Sequence, residues 1–330
     1  YLGGWTVDSL LKQGYRVRTT LRSLEREGQV RADIARQVDP GDRLSFIAAD
    51  LLADEGWDRA AQGARFILHV AAPMGVGGSK SKTQELIRPS REGTLRVLKA
   101  GAKAGVERVV MTSSLQAALA PSGSAQGGPP GDETVWTDLS EKGTTDYTRA
   151  KTLAEQDAWA FMRGSPGAMT LTTVLPAFIQ GPLMGRHVTG SLELVARMLR
   201  GQVSRVPRLG FCIVDVRDLV DLHLKAMTAP EAAGERFAGS SDFLWLADMA
   251  RVLREQLGAR AARVSTRRAP DFLVRFGALF NPELRQLTPG LGLRREFTSA
   301  KARRLLGWQA RTATEAVVAS GEALVREGLV

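Results

Sequence analysis

Hydrophobic residues follow two different spacings along the first half of the chain. Short runs rich in β-branched and apolar residues recur: YRVRTTL (15–21), RLSFIAA (43–49), ARFILHVAA (64–72), VERVVMTSS (106–114) and MTLTTVLP (169–176). Their length and composition predict strands. Between them lie longer stretches with apolar positions every three or four residues. The clearest, SKTQELIRPSREGTLRVLKAGAKAG (81–105) and TDYTRAKTLAEQDAWAFMRG (145–164), predict amphipathic helices. Strand then helix, repeated, builds βαβ units, so the fold class is α/β with a doubly wound, mostly parallel sheet and helices on both faces. Beyond residue 180 the alternation loosens into helices with a few strands, LGFCIVDV (209–216) and ERFAGSS (235–241) among them. A smaller, mainly helical second lobe is expected there. APSGSAQGGPPGDETVWTD (120–138), rich in Gly, Pro and Ser, reads as a long surface loop near a site.

The chain starts YLGGWTVDSLLKQ, where Gly3-Gly4 precede an amphipathic stretch carrying Trp5, Val7, Leu10 and Leu11. The pattern predicts a tight turn feeding a helix. Such a turn ordinarily follows a strand, and that strand lies at the centre of a doubly wound sheet. The expectation is therefore on the order of ten to fifteen further residues upstream, with 15–21 not paired directly to 65–70.

Composition narrows the classes. With 330 residues, 44% of them hydrophobic, the chain can bury the core of one large α/β domain or of two lobes. No apolar run is long enough to span a membrane and no signal-peptide pattern opens the chain, so a cytoplasmic protein is the default expectation. Cys212 is the single cysteine, set in the apolar GFCIVDV, which predicts a buried thiol and no disulfide frame. The net charge is +10, its basic residues stand mostly singly, as at Arg22, Arg26, Arg31, Arg36, Arg43 and Arg59, apart from the pairs Arg267-Arg268, Arg294-Arg295 and Arg303-Arg304, and only 6% of residues are aromatic. That pattern argues against nucleic acid and for a solvated basic surface that draws phosphorylated small molecules. His69, His187 and His223 lack metal-ligand spacing, so no metal is expected. Asp215 and Asp218 read as a turn and helix start, and Met74, Met184 and Met198 as core filling.

The chemistry concentrates in TTDYTRAKTLAEQ. Tyr147 and Lys151 are four apart on a predicted helix, so both project from one face. An ammonium beside a phenol favours phenolate, so Lys151 is expected to lower the Tyr147 pKa. About thirty residues earlier a predicted strand ends in Thr112-Ser113-Ser114.

Taken in order, YLGGW, VRTTLRS, AADL, HVAAPM, IRPSREGTLRVLKAG, VVMTSS, YTRAK, LPAFIQGP, VDVRDLVDLHL and SAKARRLLGW resemble the extended short-chain dehydrogenase/reductase family of the NAD-dependent epimerase/dehydratase superfamily. The likeness spans essentially the whole chain and is strongest to the branch of dihydroflavonol reductases, cinnamoyl-CoA reductases and microbial aldehyde and ketone reductases. It implies a Rossmann domain over 1–180, N-terminally incomplete, and a substrate-binding lobe over 181–330, with about 211–250 returning to the first domain. It implies a catalytic set of Ser114, Tyr147 and Lys151, with Ser113 or Thr112 as alternatives to Ser114. Ser114 would hold the substrate carbonyl, Tyr147 would protonate it as hydride arrives from the nicotinamide C4, and Lys151 would also hold the nicotinamide ribose.

The same resemblance assigns cofactor contacts. Gly3 belongs to the glycine turn, and Arg22, with no acid before Glu25, replaces the carboxylate that selects NAD, so NADP (NADPH) is the expected cofactor. Asp50 and Leu51 would meet the adenine, although a helix N-cap is an equal reading of Asp50. Val70, Ala71 and Ala72 would allow close approach, and Pro176 would open the turn beside the nicotinamide. Leu119 stands where dihydroflavonol reductases keep an Asn, and Leu115-Gln116 where sugar-nucleotide dehydratases keep Asp-Glu. The expected substrate is thus a small to medium apolar aldehyde or ketone, handled by a monomer or homodimer with no nucleic-acid or membrane partner. Two other readings stand beside it: a sugar-nucleotide or steroid-type epimerase or dehydrogenase, and a non-catalytic NADP-binding sensor or scaffold.

Overall fold

A computed structural model describes the chain except for residues 74–81, 122–127, 166, 189, 282–283 and 286–287. Met74 therefore lies outside the described residues, as does part of the 120–138 segment.

The first half alternates as the sequence pattern predicts: α1 (Leu2–Lys12), β1 (Val17–Leu21), α2 (Glu27–Ala35), β2 (Leu44–Ala48), α3 (Trp57–Ala61), β3 (Phe66–His69), α4 (Lys82–Lys103), β4 (Arg108–Thr112), α5 (Asp146–Gly164) and β5 (Thr170–Pro176). The second half adds β6 (Phe178–Gln180), α6 (Leu192–Leu199), β7 (Gly210–Asp215), α7 (Val216–Thr228), β8 (Arg236–Gly239), β9 (Phe243–Trp245), α8 (Leu246–Leu257), α9 (Asp271–Gly277), α10 (Ala300–Leu306) and α11 (Ala313–Arg326).

The central sheet runs β3-β4-β5-β8, all parallel, with Val110 opposite Thr172 and Thr112 opposite Val174. Every residue of β4 is buried, as a strand covered on both faces demands. Its side chains alternate accordingly. Val109 and Met111 pack with Leu98, Ala154 and Ala158 of α4 and α5, while Val110 joins Leu2 and Leu10 of α1 and Leu219 of α7 on the other face. Three layers result, with β8 bringing a late segment of the chain into the first sheet. A separate sheet, β6-β7-β9, is parallel at β6-β7 and antiparallel at β7-β9, and abuts a helical core containing Leu192, Met249, Leu253 and Val317.

β1 pairs only with β2, and β3 only with β4, so among the described residues the facing edges of β1 and β3 have no strand between them. The expectation that 15–21 does not pair with 65–70 agrees with this arrangement. One local expectation does not hold: Gly3 and Gly4 form no turn but belong to the first turn of α1. Gly4 is the close contact, since a Cβ there would lie 2.8 Å from Met184 Sδ, whereas a Cβ on Gly3 would meet nothing within 4 Å. Asp215 caps α7, its Oδ1 accepting from Arg217 N at 2.9 Å. Cys212, Met184 and Met198 are buried, and burial pushes the Cys212 thiol up. Among the described residues no helix is long and apolar enough to cross a membrane.

Candidate active site

A cleft of about 1650 Å³ opens along the carboxyl ends of β3, β4 and β5 and continues into the gap between β1 and β3. Ligands of doubly wound folds bind at that end of the sheet. Ser114, Tyr147 and Lys151 line it together with Gly3, Val70, Ala71, Ala72 and Pro176. Three cofactor candidates do not line it. Arg22 is exposed one residue past β1. Asp50 is half-buried and its Oδ1 accepts from Leu52 N at 2.9 Å, capping a turn rather than a helix. Leu51 packs on α4, where a Cβ added to Gly93 would fall 2.5 Å from its Cδ2.

Local structure explains how the three polar side chains converge. β4 ends at Thr112, and Ser114 caps the short 3-10 turn that follows, its Oγ accepting from Gln116 N at 3.2 Å. Thr145 caps α5, its Oγ1 accepting from Thr148 N at 3.1 Å, which places Tyr147 in the first turn and Lys151 one turn later on the same face. The Ser114 side chain is the group that bears on the Tyr147 hydroxyl, acting to lower its pKa. The alternatives to Ser114 are committed elsewhere: Ser113 Oγ donates to Glu155 Oε2 at 2.6 Å, and Thr112 Oγ1 lies 2.8 Å from His223 Nε2. Ser114 is thus the hydroxyl that faces Tyr147.

Electrostatics correct one expectation. The Tyr147 phenol stands above its ordinary value rather than below it. Burial raises it, and the Ser114 hydrogen bond is the opposing influence. The ammonium is spent on a different neighbour, donating to Thr112 O at 3.1 Å. Burial pushes Lys151 down to about 8, and Glu155 works against that fall. His69 is held at about 4, chiefly by burial and further by Lys151, so it is neutral beside the ammonium. His223, also held at about 4 by burial, has Nδ1 2.8 Å from Leu219 O. That carbonyl can only accept, so Nδ1 carries the proton and Nε2 accepts from the Thr112 hydroxyl.

Glu155 and Arg236 were not singled out from the sequence. The carboxylate is fully buried under the site and pairs with Arg236 at 2.8 Å. One signal for Glu155 was visible, since it stands four residues after Lys151 in YTRAKTLAE and so shares its helix face. Arg236 carried none. Leu115 is buried in the core and Gln116 Oε1 accepts from Thr148 Oγ1 at 2.9 Å, so neither supplies a carboxyl group to the cleft.

Comparison with known proteins agrees with this architecture. Residues 1–238 match the model of the NAD dependent epimerase/dehydratase family. Cinnamoyl-CoA reductase 1 of Oryza sativa subsp. japonica is 34% identical over 260 residues, covering 77% of this chain and 72% of the relative. Tetraketide alpha-pyrone reductase 2 of Arabidopsis thaliana is 29% identical over 253 residues, covering 74% and 76%. Among solved structures, yeast methylglyoxal/isovaleraldehyde reductase Gre2 complexed with NADPH superposes with a TM-score of 0.82 at 23% identity, covering 100% of this chain and 97% of that one.

Proposed function

The chain belongs to the NAD-dependent epimerase/dehydratase family, and from that premise we propose that it is an NADPH-dependent reductase that converts a small to medium aldehyde or ketone to the alcohol. The observation that carries this reading is the convergence of Ser114, Tyr147 and Lys151 on the lining of one cleft, with the Ser114 side chain bearing on the Tyr147 hydroxyl.

The described residues fit a nicotinamide dinucleotide. The N-terminus of α1 has no side-chain cap, which leaves its first N–H groups for a pyrophosphate, and Gly3 presents open space there. An ammonium has three donors, and Lys151 spends one on Thr112 O, so two remain for ribose hydroxyls. The small side chains of Ala71 and Ala72 line the cleft just beyond β3. Arg22, which makes no hydrogen bond or ion pair among the described residues, supplies a cation for a 2′-phosphate. The named relatives and the structural neighbour support the same reading, for the rice and Arabidopsis proteins are reductases by name and the yeast structure holds NADPH.

When bound, the dinucleotide supplies a hydride. The protein supplies the rest. Ser114 Oγ donates to the substrate carbonyl oxygen, which orients the carbon and stabilises charge as it develops on the oxygen. Tyr147, held protonated by burial, donates its phenolic proton to that oxygen. Lys151, charged below about pH 8, stabilises the resulting phenolate, which takes a replacement proton from solvent.

The test is consumption of NADPH against NADH by the purified protein offered a panel of aromatic and aliphatic aldehydes and ketones. Faster loss of NADPH with carbonyl substrates is the expected outcome. Binding of NADPH without consumption across the panel contradicts the reading.

A further inference from the structure

Beneath the cleft one carboxylate is met by donors from four elements. Glu155, 0% exposed, accepts from Ser113 Oγ at 2.6 Å beyond β4 and from Thr173 Oγ1 at 2.7 Å on β5. It also accepts from Trp159 Nε1 at 3.4 Å on its own helix α5, and from Arg236 Nε and Nη2 at 2.8 and 3.2 Å on β8. Arg236 then reaches onward. Its Nη1 donates to the carbonyls of Glu133 and Val135 at 2.5 and 2.9 Å and its Nη2 to Ala117 O at 3.4 Å, while the guanidinium lies 3.8 Å from the centre of the Trp136 ring.

These contacts bracket the proposed catalytic groups. Ser113 adjoins Ser114, Ala117 closes the turn that Ser114 caps, and Glu155 is one helical turn from Lys151 and two from Tyr147. The 131–137 segment is tied to the same turn through Thr137, whose Oγ1 donates to Gln116 O at 2.7 Å and accepts from Leu119 N at 2.8 Å. Neither Glu155 nor Arg236 lines the cleft, so any influence on substrate must pass through the backbone they hold. Burying an ion pair carries a desolvation cost that well-packed apolar side chains avoid, so stability alone is a weak reason to keep this one.

We propose that the Glu155–Arg236 pair is the positioning device of the site: it fixes the Ser114 turn and the 131–137 segment against the Tyr147–Lys151 face of α5, so that one carbonyl oxygen meets both hydroxyls. The inference rests on the proposed roles of Ser114, Tyr147 and Lys151. The pair also bears on charge. Lys151 faces Glu155 and Tyr147 from α5, neutral His69 from the end of β3 and the Thr112 carbonyl from β4, and Glu155 is the acid that opposes loss of its proton.

Glu155→Gln, Arg236→Lys and Ser113→Ala test it, read by kcat at saturating NADPH and substrate, NADPH affinity, thermal midpoint and the pH profile of kcat. Ser113→Ala cuts only the link to Ser114's neighbour, and Arg236→Lys keeps the charge without the fork needed to hold both Glu155 oxygens and three carbonyls. For Glu155→Gln and Arg236→Lys the expected result is kcat lower by about tenfold or more with NADPH affinity changed by less than about threefold. In Glu155→Gln the alkaline limb also moves to lower pH, because the ammonium loses the charge that retains its proton. Ser113→Ala is expected to lower kcat severalfold with the midpoint nearly unchanged, which keeps the test open if Glu155→Gln does not fold. Variants with lowered midpoints but kcat within about twofold of the parent overturn the proposal and leave the pair a structural strut. Tyr147→Phe, assayed alongside, separates the two failures: its retained turnover would sink the catalytic assignment, whereas its loss beside active Glu155→Gln and Ser113→Ala would sink only the positioning role.

Discussion

Arg22 stands exposed one residue beyond β1, with no hydrogen bond or ion pair among the described residues, while Glu25 is engaged by the Ser23 hydroxyl at 3.2 Å. A cation without a protein partner at that strand end suits a ribose phosphate. A hydrogen bond between charged groups is worth about 1.5–3 kcal/mol, so Arg22→Ala is expected to reduce the NADPH-over-NADH ratio of kcat/KM by about tenfold to a hundredfold. An unchanged ratio would remove Arg22 from cofactor selection. At this scale the sequence was informative where chemistry is local. Tyr147 and Lys151 share a helix face because four residues make about one turn. Their electrostatics were not legible, because the rise of the Tyr147 phenol comes from burial by residues distant in sequence, while the neighbouring ammonium is turned toward the Thr112 carbonyl.

Elements decide how those residues are held. α5 carries Thr145, Tyr147, Lys151 and Glu155 as cap, proposed acid, ammonium and buried anchor within three turns. Thr145→Ala removes the cap acceptor for Thr148 N and is expected to cost about 1 kcal/mol. Because Tyr147 lies in the turn that frays, kcat should fall more than NADPH affinity. Calorimetry with steady-state kinetics checks both, and a lowered midpoint with unaltered kcat would show that the first turn of α5 does not limit catalysis. β1 to β5, β7 and β8 were legible as apolar β-branched runs, with ends within three residues of those observed, whereas the three-residue β6 and β9 were not named. Gly3 and Gly4 were misread as a turn because glycine's weak helix propensity yields to packing of α1 on Met184 and on the sheet face. The Glu155–Arg236 link joins α5 to β8 across 81 positions, and no local pattern announces a partner that far away.

The whole molecule couples the site to the layers around it. His69 and His223 are both buried beside the strands that end in the cleft, and both are held near pH 4 rather than 6.5. The unfolded chain therefore binds protons between pH 6.5 and about 4 that the folded chain does not, so stability rises with pH across that window and is lost on acidification through it. Each shift corresponds to about 3 kcal/mol at most. Urea midpoints should fall steeply from pH 6.5 toward 4.5, and His223→Gln should flatten that dependence. A flat profile in the parent would contradict the burial of neutral imidazoles. Activity should show a separate alkaline limb near 8, where Lys151 loses its charge.

All of this converges on one phenol. The most direct measurement is kcat for carbonyl reduction by Tyr147→Phe beside its affinity for NADPH. Loss of about a hundredfold or more in kcat with NADPH affinity retained is the expected result, since a positioned general acid contributes roughly that much. Turnover at the parent rate would contradict the assignment of Tyr147 as the proton donor, and with it the reading of this cleft as a reductase site.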